Sequence, residues 1–323
     1  MLRFATGRLI ESLAVLLIMS WAVYLLIGLM PGDPIDLMIA ANPNFTSADA
    51  DRLKALHGLD KPIMERYGNW LLAALQGDFG YSRTFTKPAL EILLPRLFNT
   101  FLLMGLSLLF SLAIAIPLGV YAALRPYSRA DYAVNMLCFA GISVPSFWLA
   151  LLCIILFAVR LQWLPAGGME TIGDGGMLDR ARYLILPVLV LTVASIGGFT
   201  RFVRASMMQT LRQDYIRTAL AKGVGSWRLV VHHALRNALL PLVTVVGLSF
   251  GNLFSGALIT EIMFSWLGMG KMMYDAILGN DFNLALVGLL FATSATLIGN
   301  FLADVGQVAL DPRVSFAARS SEE

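Results

Sequence analysis

Six long stretches of the chain contain no Asp, Glu, Lys or Arg: Ser12–Met30, Leu97–Leu124, Tyr132–Val159, Tyr183–Thr200, Asn237–Thr260 and Phe282–Ala303. They are 18 to 28 residues long, whereas the next such run, Leu37–Ala48, has only 12. A hydrocarbon core about 30 Å thick takes roughly 20 residues of α-helix to cross. The gap between 18 and 12 residues therefore selects six membrane spans. The two 28-residue runs, Leu97–Leu124 and Tyr132–Val159, are expected to be single tilted helices whose ends emerge from the hydrocarbon. Composition agrees: 14% of residues are charged and 58% are apolar, against roughly 25% charge in a soluble domain. Too little polar surface remains to clothe a soluble globule, which argues against a soluble enzyme, a disordered chain and a nucleic-acid binder. The net charge of +3 is too small for a phosphate-binding protein.

Ser12–Met30 resembles a signal peptide only superficially. It exceeds the usual apolar core of about 7–15 residues, and Pro31-Gly32-Asp33-Pro34 is no small-residue cleavage site. It is expected to be a retained span. Basic residues then set the orientation. Arg3 and Arg8, Arg125 and Arg129, seven Lys and Arg between Arg201 and Arg236, and Arg313 and Arg319 all fall on one side of a six-span chain. Glu261–Asp281, on the other side, holds one Lys against three acids. Both termini are expected to be cytoplasmic.

The outer segment after the first span has helical signals. Thr46-Ser47-Ala48-Asp49 is a capping-box pattern with a stop at Gly58. Pro62 suits the first turn of a second helix with Ile63, Tyr67, Trp70, Leu71 and Ala74 on one face, ended by Gly77. Leu90, Leu93, Leu94 and Leu97 form a third stripe leading into span two. Such stripes pack on the protein, lie at the membrane interface or present a docking surface. On the inner side, Asp214–Gly223 reads as a short helix ended by glycine, followed by a basic helix from Ser226 to Leu240 with Ser226 as N-cap. This shape can enter a groove on another protein, or it is an ordinary positively charged loop.

Several chemistries lack their residues. No span carries an internal acid–base pair of the kind that marks a proton relay; Glu11, Glu261 and Asp304 lie at span ends. Gly268-Met269-Gly270-Lys271-Met272 lacks the leading glycine and the hydroxyl residue of a phosphate loop and reads as a turn. His232 and His233 lie opposite His57, so no metal cluster is expected. Cys138 and Cys153 are fifteen positions apart in one run, about 22 Å on a helix, too far to pair. Pro117, Pro145, Pro187 and Pro241 should kink or begin helices. Gly247-x-x-x-Gly251 and Ser143-x-x-Ser146 suit close helix packing. Polar side chains within the spans could line a path or bond their own helix backbone. A transport subunit driven by a partner, a passive channel and an ion-coupled carrier all remain open at this point.

Motifs choose among these readings. Asp214-Tyr215-Ile216-Arg217-Thr218-Ala219-Leu220-Ala221-Lys222-Gly223 and His233-Ala234-Leu235-Arg236-Asn237-Ala238-Leu239-Leu240-Pro241 resemble the cytoplasmic coupling loop of bacterial ABC-importer permeases. The nearest resemblance is to the B-type permease of the dipeptide/oligopeptide/nickel group. Pro31-Gly32-Asp33-Pro34, His57-Gly58-Leu59-Asp60-Lys61-Pro62 and Gln76-Gly77-Asp78-Phe79-Gly80 match that group's outer segment. Ser143–Trp148, Trp163–Gly168, Trp266–Gly270 and Leu310-Asp311-Pro312-Arg313 extend the match along the chain. The broader importer pattern opens with an acid and two alanines before the glycine; Arg217, Thr218 and Ala219 stand there instead.

The resemblance implies an all-α polytopic membrane protein of six transmembrane helices with the type I ABC-importer permease fold and a long helical extracytoplasmic loop after helix one. Residues 1–96 would hold the first helix and the extracytoplasmic segment, 97–312 the five-helix transmembrane domain with a coupling loop at about 205–241, and 313–323 a cytoplasmic tail. Asp214, Tyr215, Arg217, Ala219, Ala221, Lys222 and Gly223 would couple to an ATPase. Ser143, Ser146, Asn252, Ser255 and Glu261 are candidates for the translocation path. Implied partners are a homologous C-type permease, two cytoplasmic ATPases, an extracytoplasmic solute-binding protein and the lipid bilayer, with no nucleic acid. The chain would lie in the bacterial inner membrane, bind no metal or cofactor itself and hydrolyse nothing, with ATP and Mg2+ held by the cytoplasmic ATPases. Di- and oligopeptides lead as substrates; nickel, glutathione and opine-like solutes remain.

Overall fold

The computed structural model describes residues 2–28, 61–173 and 175–310. The expected helix between Thr46 and Gly58, the Pro31-Gly32-Asp33-Pro34 motif and the 313–323 tail lie outside them. Every regular element among the described residues is a helix: α1 (Leu2–Gly28), α2 (Ile63–Leu75), α3 (Ala89–Leu124), α4 (Arg129–Ser143), α5 (Ser146–Arg160), α6 (Met177–Leu211), α7 (Asp214–Ala221), α8 (Ser226–Ala238), α9 (Leu240–Met263), α10 (Met269–Leu278) and α11 (Phe282–Leu310). α5 loosens into a π-helical turn over Ile154–Arg160, and α8 does so over Leu229–Leu235.

Four helices, α1, α3, α6 and α11, are each long and apolar enough to cross a membrane, and the bent pairs α4–α5 and α8–α9 bring the number to six if each pair is one span. Leu97–Leu124 is indeed part of one unbroken helix, α3, which accommodates Pro95 and Pro117. The expected division between residues 96 and 97 falls inside it. Tyr132–Val159 is not a single helix: α4 and α5 meet at 95°. Pro145 has no N–H to donate and crowds the residue before it. Val144 accordingly adopts an extended conformation, φ −83° and ψ 120°. Ser143 and Ser146 therefore straddle a corner and do not form a packing stripe. Cys138 and Cys153 are free and lie on different arms of that corner. Pro187 lies within α6, whereas Pro241 lies in the first turn of α9.

The most enclosed span is α6, half of whose apolar stretch is buried, against 6% for α1. Small residues let its backbone approach its neighbours. A Cβ at Gly119 of α3 would lie 2.8 Å from the Thr200 carbonyl, and one at Gly197 would lie 2.5 Å from the Cys138 carbonyl of α4. Gly247 on α9 meets Ala303 on α11 in the same way, as its spacing suggested. α1 rests on α11 through Val23, Leu286 and Leu290, and Arg8 pairs with Asp304 at 3.1 Å.

The helix α2 folds back on α1. Ile63, Tyr67, Trp70, Leu71 and Ala74 are all half-buried, as their spacing predicts. The Tyr24 ring meets Tyr67 and Trp70 at 5.5 and 5.8 Å, and Ser20 and Tyr67 share a 2.8 Å hydroxyl hydrogen bond. Gly77 ends α2 at φ +86°.

Candidate functional site

One end of the bundle gathers the start of α4, the end of α6, all of α7 and α8, and the end of α11. α7 is only eight residues long, too short to be stable alone. Burial of one face holds it in place. Ile216 is 1% and Ala219 9% exposed, within a cluster that includes Val203 and Met207 of α6, Leu229 and Ala234 of α8, and Leu242 of α9. Val224 packs against the same cluster.

The C-terminus of α7 closes in a Schellman motif. Gly223 N–H donates to the Leu220 carbonyl at 2.9 Å, and Val224 N–H donates to the Ala219 carbonyl at 3.2 Å. Gly223 stands between them at φ +75°, a region that favours glycine. No atom outside its own neighbours lies within 4 Å of where its Cβ would be. The turn is thus conformationally demanding but spatially open.

The sequence-predicted coupling residues divide accordingly. Asp214, Tyr215, Arg217, Ala221, Lys222 and Gly223 are exposed, and Ala219 is a buried anchor. Tyr215 accepts a hydrogen bond from the Asn237 amide at 3.1 Å, which ties α7 to α8. Asp214 and Arg217 make only an open contact at 3.6 Å. Leu220 and Trp227, 53% and 79% exposed, flank the turn and were missed; large apolar side chains inside a basic loop were the available signal. α8 has Gly225 as its N-cap, with Ser226 its first residue and no side-chain cap bond. The expected cap at Ser226 is therefore displaced by one position. α8 also stops at Ala238, short of Leu240.

Acid and base that flank separate charge-free runs meet at this end. Arg204 of α6 donates from Nε and Nη2 to the two Asp131 oxygens of α4, both at 2.6 Å. The Asp131 side chain is 3% exposed and that of Arg204 20%. The runs themselves are free of charge, as expected, but the pair lies 73 positions apart and has no signature in sequence.

At the other end, the matched motifs tie loops together. Trp266 is 1% exposed and donates from its indole N–H to the Asn99 carbonyl at 3.2 Å. Gly168 N–H donates to the Phe264 carbonyl at 2.8 Å. Asp281, 1% exposed, accepts from the Ser82 hydroxyl and from Thr84 N–H, the latter at 2.9 Å. The candidate path residues are scattered. Ser143 is exposed before the corner and Ser146 half-buried after it. The side chains of Asn252 and Ser255 lie outside the described residues. Glu261 is 0% exposed and faces no open space. Its carboxylate accepts from the Thr100 hydroxyl at 2.5 Å and from Lys271 N–H at 2.9 Å, while Met269 N–H donates to the Thr100 oxygen at 2.8 Å. The Gly268–Gly270 segment thus wraps a carboxylate as the start of α10.

Known proteins agree along the full length. Residues 115–316 match the model of the binding-protein-dependent transport system inner membrane component, and residues 1–101 match its N-terminal companion. The oligopeptide transport system permease protein AppB of Bacillus subtilis (strain 168) is 37% identical, over 98% of this chain and 100% of its own. The di/tripeptide transport system permease protein DppB of Pseudomonas aeruginosa (strain UCBPP-PA14) is 35% identical, over 97% of this chain and 99% of its own. The dipeptide transport system permease protein DppB of Escherichia coli (strain K12) is 32% identical, over the same shares of the two chains.

Proposed function

The chain belongs to the family of binding-protein-dependent transport system inner membrane components, and from that premise we propose that it is the translocating permease subunit of an ATP-driven peptide importer. The observation that carries the peptide reading is end-to-end similarity to permeases named for oligopeptides, di/tripeptides and dipeptides. In this reading a solute-binding protein delivers di- or oligopeptides on the outer side of the bacterial inner membrane. A homologous C-type permease completes the path, and two cytoplasmic ATPases supply the energy. The subunit itself is non-catalytic; ATP and Mg2+ belong to the ATPases. Both termini and α7 face the cytoplasm.

The α7 turn suits the task of engaging the ATPase. Its inner face is anchored by Ile216 and Ala219, while Tyr215, Leu220 and Trp227 stand exposed among Arg212, Arg217, Lys222 and Arg228. Aromatic and arginine side chains of this kind dominate interface energetics. Closure of the ATPases would displace the turn and shift the bundle between two states of access. Solute moves inward because ATP favours one of those states over the other.

The test is reconstitution of the complete complex in proteoliposomes with labelled di- and oligopeptides. Uptake should require ATP, the binding protein and the partner permease together. Flux through this chain alone would support a passive channel instead, and uptake that collapses with an ion gradient while ATP remains would support an ion-coupled carrier.

A further inference from the structure

We propose that Asp131 and Arg204 are positioning residues that make the α4 arm move as one body with the α7 turn. The inference rests on the importer reading above, because it assigns a task in coupling to residues outside the α7 turn.

Asp131 is held from every side. Besides the two Arg204 bonds, its carboxylate accepts from Tyr127 N–H at 2.9 Å and from the Asn135 amide at 2.8 Å. Its own N–H donates to the Ser128 hydroxyl, the N-cap of α4, at 3.2 Å. The acid is therefore fixed relative to α4 before it meets α6. A bidentate Arg–carboxylate pair also fixes direction, because both forks must be in register. Further along, Gly197 and Gly141 bring α4 and α6 together backbone to backbone. A Cβ at Gly197 would lie 2.5 Å from the Cys138 carbonyl, and one at Gly141 would lie 3.2 Å from the Val193 carbonyl. Sliding α4 along α6 would break both contacts at once.

The same part of α6 carries the loop. Val203 and Met207, 1% and 0% exposed, are buried with Ile216 and Ala219 of α7. Ser206 donates to the Ala238 carbonyl of α8 at 2.7 Å. Arg204 lies among these residues, so the last turns of α6 grip the loop on one side and α4 on the other. Beyond the corner, α5 packs on an earlier part of the same helix: Ala150 and Cys153 are buried with Leu186 and Val190 of α6 and with Phe264. A push on the turn thus reaches α4 through the last turns of α6.

Two measurements on the assembled complex test the proposal. In the first, Asp131→Asn, Arg204→Lys and the charge swap Asp131→Arg/Arg204→Asp are compared for peptide uptake and ATP hydrolysis. The single variants should hydrolyse ATP but import about tenfold less solute per ATP, within the range of an ordinary coupling energy, and the swap should recover part of that loss. In the second, spin labels at Met136 of α4 and Gln213, the N-cap of α7, both exposed, should keep one mutual distance with and without ATP in an otherwise wild-type complex. In Asp131→Asn that distance should change between the two conditions. Wild-type solute-to-ATP ratios in the single variants, or a Met136–Gln213 distance that changes with nucleotide in the wild-type background, overturn the proposal and leave the importer reading intact. A wild-type complex without ATP-driven uptake overturns both. The distance in the wild-type background needs no substitution at either charge, so a variant that fails to assemble does not protect the proposal.

Discussion

Val224 N–H donates to the Ala219 carbonyl at 3.2 Å across the Gly223 turn, which joins the buried anchor of α7 to the apolar residue that restarts the chain towards α8. The turn is thereby held in one shape while its outer face stays free. Geometry and recognition are separable at this point, because strain and charge at position 223 act through different means.

Gly223→Asp should uncouple ATP hydrolysis from uptake while the complex still assembles. Asp tolerates the left-handed region better than most residues, and the space beyond Gly223 is open, so the damage should come from negative charge on a basic docking face. Gly223→Asn is the control, with similar shape and no charge. Uptake should fall about tenfold or more in the Asp variant and much less in the Asn variant. Equal uptake in both would remove charge from the account of the loop.

Ile216→Ala should loosen α7 as a whole. Truncating a buried isoleucine costs about 2–5 kcal/mol, and an eight-residue helix has little else to hold it. The segment between Leu211 and Ser226 should become a site of proteolytic nicking in the purified complex. Arg217→Ala, whose side chain is 75% exposed, should leave the cleavage pattern unchanged and act only on coupling.

Glu261 and Gly268 compete for the same space. A Cβ at Gly268 would fall on the Glu261 carboxylate, so Gly268→Ala should destabilise the protein by about 1–3 kcal/mol through overpacking. Thermal unfolding in detergent reads this as a lowered Tm. Pairing the change with Glu261→Ala removes the clash, so the two effects should add to less than their sum. Simple additivity would mean that the carboxylate does not fill that space.

Asp281→Ala should release the 78–88 loop from the start of α11. The acid accepts from Ser82, Thr84 and the Leu284 amide, the last at 3.3 Å. Leaving buried donors without a partner costs about 1–3 kcal/mol each. Faster amide hydrogen exchange at Thr84 and Leu284, with little change at α7, is the expected signature.

The spans were legible because burial in a bilayer is a property of a segment. A charge-free run of sufficient length favours helix in a bilayer, and α3, α6 and α11 each contain their run and extend beyond it. The glycine turn at 223 was legible for a similar reason, since helix, stop and restart are written within a dozen residues. Glu261 was not. It was a candidate for the translocation path, whereas the Thr100 hydroxyl and the Lys271 amide hold its buried carboxylate, and Thr100 stands 161 positions away.

The sequence by itself determined which segments leave water, which side of the bundle gathers the basic residues, and where a short helix turns on a glycine. Each of these follows from hydrophobicity, charge or backbone freedom summed over neighbouring residues. Only the tertiary structure decided that the run Tyr132–Val159 breaks at 95°, that Ala219 faces inward while Trp227 faces out, and that Asp131 meets Arg204. A proline permits a corner, but the packing of α4 on α6 decides whether the chain takes it. An ion pair 73 positions apart forms where α4 and α6 pack, and two glycines bring those two backbones close.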